Sequence, residues 1–130
     1  MAEQKRGFIQ VYTGNGKGKT TAALGLAFRA AGYGVKTFVG QFMKGRESGE
    51  IHASQMLHGL ITIEPFGSGK WILPGSEPDP AEFERARRGL KRIAGALASP
   101  EFGIVVMDEV LVAVKFKLLT AAEVLAVVRS

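Results

Sequence analysis

The stretch Thr13-Gly14-Asn15-Gly16-Lys17-Gly18-Lys19-Thr20-Thr21 constrains this chain more than any other. It joins an apolar β-rich run, Phe8-Ile9-Gln10-Val11-Tyr12, to a run of helix formers from Lys19 to Ala31. The spacing matches the phosphate-binding loop G-x-x-x-x-G-K-[ST]: Gly18, Lys19 and Thr20 fill its last three positions, and Thr13 stands at the place of the first glycine. Gly14 and Gly16 supply the backbone freedom that lets such a loop turn its N–H groups inward and admit phosphate oxygens. The helix that follows offers unpaired N–H groups and a dipole that favour anions. Lys19 brings a mobile charge to the phosphates, and the Thr20 hydroxyl suits Mg²⁺. Gly14, Asn15, Gly16, Lys17, Gly18, Lys19, Thr20 and Thr21 are therefore the candidate nucleotide-binding residues.

The rest of the chain alternates strand and helix. Val35 to Phe42 reads as a second strand, a polar loop from Lys44 to Gly49 leads to a short helix near Glu50 to Leu57, and Leu60 to Phe66 reads as a third strand. Gly67 to Pro80 is rich in Gly and Pro and reads as an irregular surface loop. Asp79 or Pro80 then opens a helix carrying Phe83, Ala86, Leu90, Ile93, Ala94 and Leu97 at helical spacing. Ile104 to Met107 is a continuous apolar run, the pattern of a strand buried on both faces. Thr120, with Glu123 three residues on, has the form of a capping box opening a last helix to Arg129. Four strand–helix pairs imply an α/β three-layer sandwich with a mostly parallel sheet, the P-loop NTPase (RecA-like) class, as one nucleotide-binding domain over residues 1–130.

Composition narrows the function. At 130 residues and 46% hydrophobic, the chain suits one folded domain with a real core. The net charge of +5 has two sources. Arg85, Arg87, Arg88, Lys91 and Arg92 crowd one helix with no interleaved aromatics and read as a solvated face, not a nucleic-acid stripe. Lys17, Lys19, Lys44 and Arg46 lie in Gly-rich loops and suit an anionic small molecule. With no cysteine, disulfides, thiol catalysis and cysteine-based zinc sites are excluded. His52 and His58 lie six apart, off the spacing of one helical face, and read as surface residues rather than ligands. Met1 to Gly7 is too short and polar for a signal peptide and no apolar run reaches membrane-spanning length, so a cytoplasmic protein without a membrane partner is the expectation.

A phosphate-loop site needs a second carboxylate for its metal at the end of an apolar strand. Asp108 and Glu109 follow Val105-Val106-Met107 and fit that need: Asp108 to orient Mg²⁺ or its waters, Glu109 to assist. The pair by itself allows hydrolysis, phosphoryl transfer or another reaction on the triphosphate.

Together, Arg6 to Ala23, Gln41-Phe42-Met43-Lys44-Gly45, Val106-Met107-Asp108-Glu109 and the helix from Leu118 to Leu125 resemble the ATP:corrinoid adenosyltransferases. In that family the T-G-N-G-K-G-K-T-T form accounts for Thr13. The resemblance implies attack of a Co(I) lone pair of a corrinoid such as cobalamin on ribose C5′ of ATP, with tripolyphosphate leaving. The metal centre is the nucleophile, so the protein's part is orientation and charge neutralisation. Lys17, Lys19, Lys44 and Mg²⁺ on Thr20 would supply it, with Glu109 assisting. The family's G-F-T-W loop, whose aromatics displace the lower cobalt ligand, aligns with Ser68-Gly69-Lys70-Trp71. That makes Trp71 a candidate corrinoid contact and Phe66 a possible substitute for the phenylalanine that Gly69 replaces.

The resemblance further implies a homodimer and a reductase that supplies Co(I). Relatives carry an N-terminal extension and continue past the last helix with another strand and a T-G-R segment, so a fragment, a shortened relative or a form that binds ATP without turnover is also an expectation. The competing readings are a generic P-loop ATPase, with Glu109 activating water, and a non-catalytic ATP-binding module.

Overall fold

In the computed structural model, residues 7–13, 18–45, 48–70 and 75–130 are described. Three strands, β1 (Thr37–Phe42), β2 (Ile61–Phe66) and β3 (Ile104–Asp108), form one parallel sheet in the order β2-β1-β3. The order puts β1 in the centre, and all six of its residues are buried. Its alternate residues face opposite layers. Thr37, Val39 and Gln41 share a face with Ile61, Ile63, Val106 and Asp108, while Phe38 and Phe42 share the other with Phe66, Val105 and Met107.

The first face is covered by α1 (Lys19–Ala31) and α2 (Gly49–Gln55). The second is covered by α3 (Pro80–Ala98), α4 (Val110–Lys115) and α5 (Ala121–Val128), whose apolar residues close the larger core around Phe42, Ile93, Leu118 and Leu119. This is the α/β sandwich with a parallel sheet read from the alternation of elements. Helix starts behave as local chemistry dictates. Asp79 caps α3 by accepting from Ala81 N at 2.9 Å, with Pro80 at the first helical position. Thr120 and Glu123 form the reciprocal capping box of α5.

The basic residues of α3 are tethers as well as a solvated face. Arg92 forks onto Glu64 of β2 and lies over the Phe38 ring, Arg85 pairs with Glu82, and Arg87 approaches Glu123 of α5.

Two expectations are corrected. Phe8 to Tyr12 is not a strand: the segment lies outside the sheet with Phe8, Ile9 and Val11 between 68% and 87% exposed. Side-chain preference alone does not make a strand, which exists only where a neighbour takes its N–H and C=O groups. The apolar run of β3 is half-buried rather than enclosed, because β3 is an edge strand whose outer side has no partner among the described residues. Outside these expectations lies α4, a short helix that starts directly after the turn at Glu109.

Candidate functional site

Parallel strands present their carboxyl ends on one edge of the sheet, and ligands of open α/β folds gather there. Here that edge holds the ends of β1 and β3 and the start of α1. Gly18 precedes α1 in a left-handed conformation, φ 115°, which a side chain would strain. The turn delivers Lys19 and Thr20 as the first two residues of a 13-residue helix with no acidic residue in its first turn. The first N–H groups of a helix have no acceptor within the helix itself, and such an end favours an anion. Thr21 follows at the surface.

Across the edge, Thr20 Oγ1 donates to Asp108 Oδ1 at 2.8 Å. Asp108 is 7% exposed, and its other oxygen accepts from Gln41 Nε2 at 3.4 Å and lies 3.3 Å from Lys44 Nζ. Strand register explains the first of these partners: Gln41 of β1 lies directly beside Asp108 of β3, on the same face. A buried carboxylate needs this compensation, because stripping its hydration without partners costs several kcal/mol, on the order of the desolvation penalty for one ion.

Lys44 is placed by backbone packing. β1 leaves the sheet through Met43, a non-glycine residue at φ 70°, and the Lys44 carbonyl accepts from Gly67 N at 2.9 Å. A Cβ on Gly67 would come within 2.5 Å of the Met43 carbonyl carbon, so the loops after β1 and β2 lie main chain against main chain. Two residues that the sequence reading left out of the site complete the cluster. The wholly buried Gln41 also donates to Glu50 Oε1 at 3.4 Å, and Lys44 Nζ lies 3.5 Å from the same oxygen. The Glu50 carboxyl is held below its usual range, first by its own backbone N–H, with Gln41, Lys44 and Ser48 adding to this against a desolvation penalty. For Gln41 the available signal was a polar residue between apolar neighbours near the end of the central strand.

Glu109 follows Asp108 in a left-handed conformation, φ 62°, and its carbonyl accepts the first N–H groups of α4. Its half-buried side chain makes no hydrogen bond or ion pair among the described residues. Strain of this kind costs about 1–3 kcal/mol and is concentrated at functional positions.

Thr20, Lys44 and Asp108 thus come together, with Lys19 beside Thr20 and Glu109 beside Asp108 in the chain. Gly14, Asn15, Gly16, Lys17 and Trp71 lie outside the described residues. Phe66, the possible substitute aromatic, is buried edge-to-face against Phe42, with ring centroids 5.3 Å apart. His52 and His58 are exposed. Lys70 and Ser68 line a cavity of about 220 Å³ at the start of α3, whose walls include none of Thr20, Lys44 and Asp108. Among the described residues no three His, Cys, Asp or Glu side chains converge on one point. A divalent ion here would have Thr20, whose lone pairs stay free when its proton goes to Asp108, with phosphate oxygens and water among its other ligands. Mg²⁺ has that habit.

The chain is similar to known proteins over most of its length. Residues 5–130 match the family model for ATP:corrinoid adenosyltransferase BtuR/CobO/CobP. The chain is 38% identical over 128 residues to the corrinoid adenosyltransferase of Pseudomonas aeruginosa, covering 97% of this chain and 62% of that one. It is 38% identical to corrinoid adenosyltransferase CobA of Salmonella typhimurium (97% and 63%), and 31% identical to a corrinoid adenosyltransferase of a Sinorhizobium species (92% and 56%). The chain therefore spans a little under two thirds of the length of these curated relatives. On the match of nearly its whole length, the chain belongs to the ATP:corrinoid adenosyltransferase BtuR/CobO/CobP family.

Proposed function

We propose that this chain transfers the 5′-deoxyadenosyl group of ATP to the Co(I) of a corrinoid, cobalamin or a precursor, and releases tripolyphosphate in cobalamin biosynthesis or salvage. The observation that carries the reading is the Thr20–Asp108 hydrogen bond, with Lys44 on the same carboxylate, at the mouth of a phosphate-loop helix in a member of this family. In the reaction the cobalt electron pair forms a bond to C5′. The C5′–O bond to the α-phosphate breaks, and its electrons leave with the tripolyphosphate.

The chain supplies no nucleophile and needs none. The α1 N-terminus, Lys19 and Lys44 gather cationic charge around the leaving group, where charge develops in the transition state. Gly14, Asn15, Gly16, Lys17, Gly18 and Thr21 complete the cradle, and Lys17 adds to the neutralisation. Bound Mg²⁺ would neutralise phosphate charge as a Lewis acid. Thr20, Asp108 and Glu109 are the residues to hold it, Asp108 by fixing the Thr20 hydroxyl. Trp71 is assigned to the corrinoid. A homodimer, a reductase that delivers Co(I), and a cytoplasmic setting belong to the same reading. No described helix is long and apolar enough to cross a membrane.

The test is the product. Incubation with Co(I) corrinoid, ATP and Mg²⁺ should give tripolyphosphate and a light-sensitive cobalt–carbon bond. ADP and phosphate as the products would favour the P-loop ATPase reading instead. One observation favours a second reading, a module that binds ATP without turnover: among the described residues the segment leading into the phosphate loop pairs with no strand and the outer edge of β3 is open. Tight ATP binding with no product under the same conditions would establish that alternative.

A further inference from the structure

We infer that Glu50 is a positioning residue of the triphosphate site, holding the Lys44 ammonium and the Gln41 amide at the carboxyl ends of β1 and β3. The inference rests on the nucleotide reading above.

Glu50 lies in the first turn of α2, whose start is fixed by Ser48 accepting from Ile51 N. One of its oxygens, Oε1, meets both Lys44 Nζ (3.5 Å) and Gln41 Nε2 (3.4 Å). The same two nitrogens meet one oxygen of Asp108, Oδ2, at 3.3 and 3.4 Å. Two donors bridged by two carboxylates make a closed ring, and Glu50 is the member that neither the phosphate-binding motif nor the Asp108-Glu109 pair announces.

Gln41 shows why the ring needs its fourth member. Its side chain is fully buried and Oε1 has no hydrogen-bond partner among the described residues, which orient the amide through Nε2, by Glu50 and Asp108. Lys44 is comparable. Its flexible stem loses up to about 2 kcal/mol of rotamer freedom when pinned, and a single half-exposed ion pair returns less than that. Two carboxylates at 3.3 and 3.5 Å pin it where one would leave it mobile. The depressed pKa of Glu50 keeps its charge in place for this purpose.

The sign of the effect separates this role from simple electrostatics. A carboxylate near a triphosphate repels it, so removing the charge should tighten ATP binding if Glu50 acted only through space. A positioning residue does the opposite, because its loss releases the cation that the triphosphate meets.

The experiment is calorimetric ATP binding with Mg²⁺ to the wild-type chain, Glu50→Gln, Lys44→Ala and the double variant, with melting curves to establish that each is folded. Glu50→Gln keeps the size and hydrogen-bonding reach of the side chain. It should weaken ATP about fivefold in the wild-type background and have no weakening effect in the Lys44→Ala background. A merely structural contribution of Glu50 to α2 would persist without Lys44. Unchanged or tighter binding by Glu50→Gln, or an equal loss in both backgrounds, overturns the inference. If the wild-type chain binds no ATP, the nucleotide reading itself falls, and the inference with it.

Discussion

The Thr20 hydroxyl donates to Asp108 Oδ1 at 2.8 Å, joining the first turn of α1 to the end of β3 across 88 positions of sequence. This contact converts two separate sequence signals, a Gly-Lys-Thr helix start and an acidic strand end, into one site. Asp108 orients the hydroxyl, and this bond leaves the hydroxyl's lone pairs unused.

Asp108→Asn preserves an oxygen for Thr20 but removes the charge that balances Lys44. ATP affinity measured with Mg²⁺ should fall tenfold or more, on the order of the 1.5–3 kcal/mol of a hydrogen bond to a charged group. Affinity measured in chelator should change far less. Equal losses in both conditions would contradict the assignment of Asp108 to the cation.

Glu109 sits at φ 62° with its side chain unpaired among the described residues. Glu109→Gly should therefore raise the thermal midpoint, by relief of about 1 kcal/mol of backbone strain, while lowering adenosyl transfer. Calorimetric melting and the product assay on the same preparation check both halves. A destabilised variant would show that the left-handed turn carries no strain.

Gly67→Ala places a methyl carbon 2.5 Å from the Met43 carbonyl carbon, backbone against backbone. One of the two loops must move, at about 1–3 kcal/mol, and Lys44 is in the loop that Gly67 holds. Lower stability together with weaker ATP binding is the expected result. Gly75→Ala, at a glycine with an open surround but φ 83°, should cost stability without weakening ATP. Chemical denaturation and ATP titration of the two variants make the comparison.

The capping box of α5 gives a pH prediction. Glu123 is held below its usual value first by the Thr120 backbone N–H and then by the Thr120 side chain. A carboxylate with a depressed folded pKa contributes stability above its unfolded pKa, and that contribution is lost as pH falls through the folded value. Denaturation midpoints should drop as pH falls below about 4.5, the ordinary value, and the part due to this cap should vanish in Glu123→Gln. Thr120→Ala should cost about 1 kcal/mol at neutral pH. A Glu123→Gln variant with the same acid-side slope as wild type would refute the assignment.

Much of the fold was legible because its signals are local. The capping box at Thr120 and Glu123, the Asp79-Pro80 helix start, the Lys19–Ala31 helix and the strands ending at Phe42 and Phe66 each depend on residues a few positions apart. The candidate site was half legible in the same way: Thr20 follows from the loop motif and Asp108 from its place after an apolar strand. What the tertiary structure alone decided is pairing. Phe8 to Tyr12 has strand composition but no neighbour in the sheet, and β3 is apolar yet lies at an edge. Glu50 and Gln41 entered the site through the register that sets Gln41 beside Asp108 and through the packing of α2 against the sheet. The physical reason is common to all of these. A cap or a helical stripe is satisfied within its own segment, whereas a strand's hydrogen bonds and a buried carboxylate's partners come from distant parts of the chain.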